Sequence, residues 1–274
     1  MNAKRFLSAP LLYVGLCLLL ILPALAPAAS FLDFLDPNTK EGKLLSDRSA
    51  ARAGSTFEKI LAGCWIATAD PGLYELPPDG ALDWSKVLVA DRFYALLQIR
   101  ALTFGDEYAF SVQCPNAACR ERFEWTLNLQ ELPVVPLSDA SKAAFRAGNR
   151  FETTLPRDGR KVWFRLMTGA DEARAATALK AGRDGALLTA LALRIVQIEH
   201  LTDHDKRKFL DDIEMADATA LLDQFDAADG GVETNIEVEC PSCLAVQDVE
   251  LPFERGFFLP TAKATSKAKA KAAL

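Results

Sequence analysis

Two pairs of cysteines, Cys114 with Cys119 and Cys240 with Cys243, are the residues of this chain whose type and spacing could do chemistry. A thiolate is a soft, charged ligand, and four of them satisfy the preference of Zn2+ for a tetrahedron of sulfurs at about 2.3 Å. The second pair, Cys-x2-Cys, has standard knuckle spacing, and the first, Cys-x4-Cys, lies at the long end of the usual range. Their surroundings repeat as well. Ser111-Val112-Gln113-Cys114-Pro115 and Glu237-Val238-Glu239-Cys240-Pro241 share Val-polar-Cys-Pro, and each leads into a second cysteine and an alternating segment. Two copies of one unit therefore predict a single structural zinc site held by Cys114, Cys119, Cys240 and Cys243. The same thiols would also suit disulfides, within or across the pairs, or a redox couple. Four thiolate ligands leave no open position and supply no general base, so catalytic zinc is not expected here.

Other candidates are plainer. Cys17 falls in an apolar leader and Cys64 in a helical pattern, where a free cysteine behaves as a small hydrophobe. His200 and His204 could share a helix face near Asp203 and Asp205, but no Glu follows His200 as a zinc protease requires, and exposed helix-end histidines are the simpler reading. Asp211, Asp212 and Glu214 read as solvated charge on a polar helix face. The sequence contains no nucleophile elbow, phosphate loop or dinucleotide fingerprint. Gly105, Gly169 and Gly182 read as caps or turns. These residues predict a protein that is not an enzyme and takes no small-molecule substrate.

The cysteines must be positioned by strands. Tyr108, Phe110 and Val112 alternate with small or polar residues before Cys114, and Phe123, Trp125, Leu127 and Leu129 alternate after Cys119. Ile236 and Val238 precede Cys240, and Val246, Val249 and Leu251 follow Cys243, so the knuckle units span 108–130 and 234–252. A further hairpin is predicted from Phe151–Leu155 and Val162–Met167 around Pro156-Arg157-Asp158-Gly159. Helical patterns begin at Glu41, with Leu44, Leu45, Ala51, Phe57, Ile60 and Leu61 as core candidates, and run from Ala90 to Phe104, with Gly105 as the stop. Between them, Asp70–Gly80 reads as a loop pinned by Leu73, Tyr74 and Leu76. Thr168 is a cap with Asp171 and Glu172 in the first turn. Leu187–Ile198 reads as a central buried helix, followed by helices at Asp205–Ile213 and Asp217–Phe225. The predicted fold class is α+β: a small zinc-ribbon-like antiparallel sheet built from two cysteine knuckles, plus a β-hairpin, packed on a helical middle.

The chain has 274 residues, half of them hydrophobic, enough to bury a core. Setting aside Lys4, Arg5 and the four lysines after residue 261 leaves 25 basic against 37 acidic residues. Such a body repels phosphate backbones, so nucleic acid is not an expected partner and other proteins are. Residues 1–30 resemble a secretory leader, with Lys4 and Arg5 before the apolar run Leu11–Leu22, too short for stable membrane insertion. They are either a signal segment, which would place the chain in the periplasm or outside the cell with its cysteines paired as disulfides in a binding protein, or a start assigned too far upstream. Residues 31–260 form one body, and 261–274 read as a Lys/Ala-rich disordered tail.

The order of these pieces resembles the T4-type phage baseplate family, whose type is a baseplate hub assembly protein. The matching stretches are Leu45-Ser46-Asp47-Arg48 with Gly54, Asp91-Arg92-Phe93-Tyr94 running to Gly105-Asp106-Glu107-Tyr108, Cys114-Pro115, Thr168-Gly169-Ala170-Asp171-Glu172, and Cys240-Pro241-Ser242-Cys243 leading into Glu250-Leu251-Pro252-Phe253. Leu244 stands where such knuckles often carry glycine. The resemblance implies a structural or assembly component of a contractile tail, made in the host cytoplasm, placed in the host cytoplasm and/or the virion tail, and working through contacts with other tail and baseplate proteins.

Overall fold

The computed structural model describes residues 56–252 and Phe257, apart from 66, 67, 69, 78–81 and 182–185. The leader, the lysine-rich tail and the part of the Glu41 helical pattern before residue 56 lie outside the described residues, whereas Ile60 and Leu61 of that pattern are buried as expected and Phe57 packs against them. In chain order come α1 (Thr56–Cys64), α2 (Val89–Phe104), β1 (Glu107–Gln113), β2 (Arg122–Asn128), β3 (Val134–Val135), α3 (Asp139–Arg146), β4 (Phe151–Thr154) and β5 (Lys161–Phe164). They are followed by α4 (Gly169–Ala181), α5 (Ala186–Arg194), β6 (Ile195–Ile198), α6 (Asp203–Asp211), α7 (Met215–Ala228), β7 (Gly231–Val232), β8 (Asn235–Glu239) and β9 (Val246–Glu250). No helix among them is long and apolar enough to cross a membrane.

Alternation builds the knuckle strands. Along β1, Tyr108, Phe110 and Val112 are buried and their neighbours exposed, the pattern of a strand with one face on a core. β1 pairs antiparallel with β2 from Glu107↔Asn128 to Gln113↔Arg122, and β8 with β9 from Asn235↔Glu250 to Glu239↔Val246. The expected ribbon is thus two separate two-stranded sheets. An isolated hairpin is marginal in water, and these two are supported by a shared core. Tyr108, Phe110 and Val112 meet Val238, Leu251 and Phe257 there, with Leu97 of α2.

The other half is a three-stranded sheet, in the order β4-β5-β6, under α5, α6 and α7. Gly159, at φ 81°, supplies the left-handed residue of the β4–β5 turn. Asp217, buried in the first turn of α7, accepts from Arg157 N (2.8 Å) and Asp158 N (3.1 Å) and ties that turn to the helix. The central buried helix expected over Leu187–Ile198 ends instead at Arg194, and Ile195–Ile198 becomes the third strand. The free edge of β5 explains the switch. Ile195, Val196 and Ile198 are β-branched, Ile195 and Ile198 pair there with Phe164 and Val162, and Arg165 N donates to the carbonyl of Arg194 at 2.9 Å.

The two halves meet at α2 and the start of α4. Arg92 of α2 is 2 % exposed, and its guanidinium donates to Trp84 O (2.6 Å) and to Glu172 Oε2 (3.0 Å). It passes directly beneath Gly169. A Cβ at that position would stand 2.4 Å from Arg92 Nη1 and 2.5 Å from the Trp84 carbonyl, so only glycine fits. Asp171 is fully buried. It accepts from Thr168 N (3.1 Å) and Thr168 Oγ1 (3.0 Å), and it pairs with Arg165 and with Arg174 (2.9 Å). The Thr-Gly-Ala-Asp-Glu stretch is therefore a helix start and an inter-element junction at once. Tyr74 pins the preceding loop, donating to Asp91 and accepting from Leu88 N at 3.2 Å.

Candidate metal centre

Each hairpin ends in a turn that carries two thiols. In the second turn Leu244 N donates to Cys240 O and Cys240 N to Ala245 O, both at 2.9 Å, so Cys240-Pro241-Ser242-Cys243 closes on itself. The first turn is longer and has an added device, in which the Asn116 side chain accepts from Ala118 N (2.9 Å) and its carbonyl accepts from Cys119 N and Arg120 N (2.9 Å each). Cys114 N donates across the turn to Glu121 O at 2.8 Å. Both turns then need a left-handed residue straight after the second cysteine, Arg120 at φ 49° and Leu244 at φ 58°. The repeat seen in the sequence is a repeat of backbone geometry.

This geometry explains the glycine preference noted for position 244. A left-handed leucine costs about 1–2 kcal/mol through the clash of its Cβ with the carbonyl oxygen, and Leu244 is also 67 % exposed. Leu244→Gly is expected to leave stability unchanged or raise it by up to about 1 kcal/mol, whereas Leu244→Val is expected to lower it by about 1 kcal/mol. Urea unfolding of the two variants beside the parent checks both.

Shared packing brings the two turns together. The sulfurs of Cys114, Cys119, Cys240 and Cys243 all lie within 4.8 Å of one another, although Cys119 and Cys240 are 121 residues apart in sequence. Cys114 Sγ is 3.5 Å from Cys243 Sγ, and Cys119 Sγ is 3.9 Å from Cys240 Sγ. A tetrahedron with metal–sulfur bonds of about 2.3 Å has sulfur–sulfur edges of about 3.8 Å. The four thiols, none of them joined in a disulfide, therefore fit a metal ion of that coordination. Their protonation is uneven. The Ala245 N–H at its sulfur holds the Cys243 thiol down at about 7, and burial pushes Cys114 up to about 12. A cation entering the cluster would meet the acidic Cys243 thiol and displace a proton from Cys114.

Around the sulfurs stand groups that sequence reasoning missed. Asn116 Nδ2 points at Cys243 Sγ from 3.8 Å. Ser242 Oγ donates to Glu121 Oε2, and Gln247 Nε2 to Gln113 O (3.2 Å), so polar bonds also bridge the two hairpins. The one available signal was Pro115-Asn116, a turn dipeptide whose Asn could be expected to bond locally.

The remaining candidates are not brought together. His200 lies in the turn before α6, at φ 61° and exposed, and His204 is exposed in the first turn of that helix, so the two do not share a helix face. Asp211, Asp212 and Glu214 are exposed across the α6–α7 connection. Cys64 ends α1, half-buried against the core of α1 and α2.

A family model described as T4 bacteriophage base plate protein matches residues 77–258, which takes in both knuckles, the Arg92 helix and the Thr168–Glu172 junction. No curated protein and no solved structure matches the chain. With more than half of its length matched, the chain belongs to the T4 bacteriophage base plate protein family.

Proposed function

We propose that the chain is a non-enzymatic structural or assembly component of a contractile-tail baseplate, held together by a structural Zn2+ on Cys114, Cys119, Cys240 and Cys243. The observation that carries this reading is the convergence of four thiols, from hairpins far apart in sequence, within a member of a baseplate family. Baseplate membership supports a structural role among other phage proteins. An ion closed by four protein thiolates has no position for water or substrate, and its contribution is to folding. The working body is residues 31–260, with 1–30 a leader or misassigned start and 261–274 a lysine-rich tail. Its partners are neighbouring tail and baseplate proteins, and its place is the host cytoplasm, the virion tail or both.

The test is metal content and free-thiol count on the protein isolated from a phage-producing host, with its co-purifying proteins identified. One zinc per chain, reduced thiols and associated tail proteins are the expected result. Metal-free protein with paired cysteines and no tail partners would overturn the proposal.

A further inference from the structure

The two sulfur contacts at 3.5 and 3.9 Å both cross from one hairpin to the other. Each joins a buried thiol to a half-buried one, Cys114 to Cys243 and Cys240 to Cys119. The bonds from Ser242 to Glu121 and from Gln247 to Gln113 hold the two turns side by side by means independent of any ion. We propose that the cluster is also an oxidation site: a peroxide converts its thiols to two cross-hairpin disulfides, Cys114–Cys243 and Cys119–Cys240, and the oxidised chain no longer takes metal. Only the last clause rests on the metal-centre reading; the pairing stands on the sulfur positions.

The chemistry balances within the cluster and the peroxide. The half-buried thiolate attacks one peroxide oxygen, the O–O bond breaks, hydroxide leaves, and a sulfenic acid remains. The buried partner then attacks that sulfur, an S–S bond forms, the S–O bond breaks, and the second oxygen departs as water after taking up a proton. Each pair loses two electrons and reduces one peroxide to two waters, so the cluster consumes two peroxides. Closing a bond of about 2.05 Å requires each sulfur pair to approach by less than about 2 Å, which side-chain rotation supplies while the turns keep their backbone bonds. The hairpins stay tied in both forms, by the ion in a reducing cytoplasm and by disulfides in an oxidising exterior.

The experiment exposes the reduced full-length chain to hydrogen peroxide beside a chromogenic metal chelator, followed by alkylation, digestion and fragment mass spectrometry. Expected are loss of four free thiols, release of any bound metal, faster migration on a non-reducing gel, and the segment holding Cys114 and Cys119 linked to that holding Cys240 and Cys243 by the two named bonds. Loops closed within each turn, or sulfinic acids without disulfides, would overturn the pairing. The paired variant Cys119→Ser with Cys240→Ser keeps one contact pair and is expected to form its bond at least tenfold faster than Cys119→Ser with Cys243→Ser. Should these variants fail to fold, the wild-type bond map decides. Cross-hairpin bonds formed by a chain that takes up no zinc even when reduced would end the metal reading and leave the pairing standing; turn-internal bonds formed on oxidation of a chain that was zinc-loaded before the peroxide was added would do the reverse.

Discussion

Cys240→Ser is expected to abolish stoichiometric zinc and to uncouple the two cysteine hairpins. Cys240 is fully buried beneath the second turn and 3.9 Å from Cys119. Structural zinc in small sites contributes about 10–16 kcal/mol of apparent binding free energy at neutral pH, which rivals the whole stability of a domain, about 5–15 kcal/mol. The loss falls unevenly. β1–β2 and β8–β9 are two-stranded sheets that share one apolar cluster, and without the ion only that cluster and a few polar bonds keep them together. The β4-β5-β6 sheet has a separate core with α5, α6 and α7. Hydrogen exchange is therefore expected to show amide protection collapsing in β1, β2, β8 and β9 while Val162, Phe164 and Leu221 stay protected. Chelation of the parent should reproduce this pattern, and Cys64→Ser should not. Unchanged exchange in the chelated parent would mean that packing alone holds the hairpins.

The knuckles were legible because two independent regularities coincide there, ligand spacing and period-two alternation, and because the unit occurs twice. That the hairpins form separate sheets was not legible. Register within a hairpin follows from its own alternation, but whether two hairpins also pair edge to edge depends on how their cores meet. Leu187–Ile198 was misread for a related reason. A run of Leu, Ala, Ile and Val suits a buried helix or a buried strand equally, and the edge of β5, some thirty residues away, decides the matter for Ile195–Ile198. The glycine that such knuckles often carry at position 244 has its physical reason in the positive φ that Leu244 adopts there. Arg92 shows itself in the sequence only as a member of a short matching stretch, and Asp171 as such a member and as a first-turn acid after the Thr168 cap. Their meaning is a tertiary one, since a buried guanidinium beneath a glycine leaves no periodicity to read.

Asp171→Ala is expected to cost about 2–4 kcal/mol, since it removes charge-assisted bonds of about 1.5–3 kcal/mol each and leaves the Thr168 N–H and hydroxyl without their acceptor. The carboxylate is fully buried, pairs with Arg165 and Arg174, and takes the Thr168 N–H and hydroxyl at the start of α4. Its removal strands Arg165, whose remaining contacts are to the Leu193 carbonyl at 3.3 Å, and leaves the first turn of α4 without its cap. Asp171→Asn keeps the shape and part of the hydrogen bonding and should lose less. If the penalty comes from the orphaned charge rather than from lost packing, adding Arg165→Met to Asp171→Ala should recover part of it, since an apolar neighbour needs no counter-ion. Urea midpoints at unchanged slope measure all three. Zinc content separates this prediction from the first: Asp171 variants that still fold should keep one ion per chain, because the junction and the thiol cluster draw on different residues. A variant that lost stability and metal together would show instead that α4 and the hairpins fold as one cooperative unit, joined through Arg92 and α2.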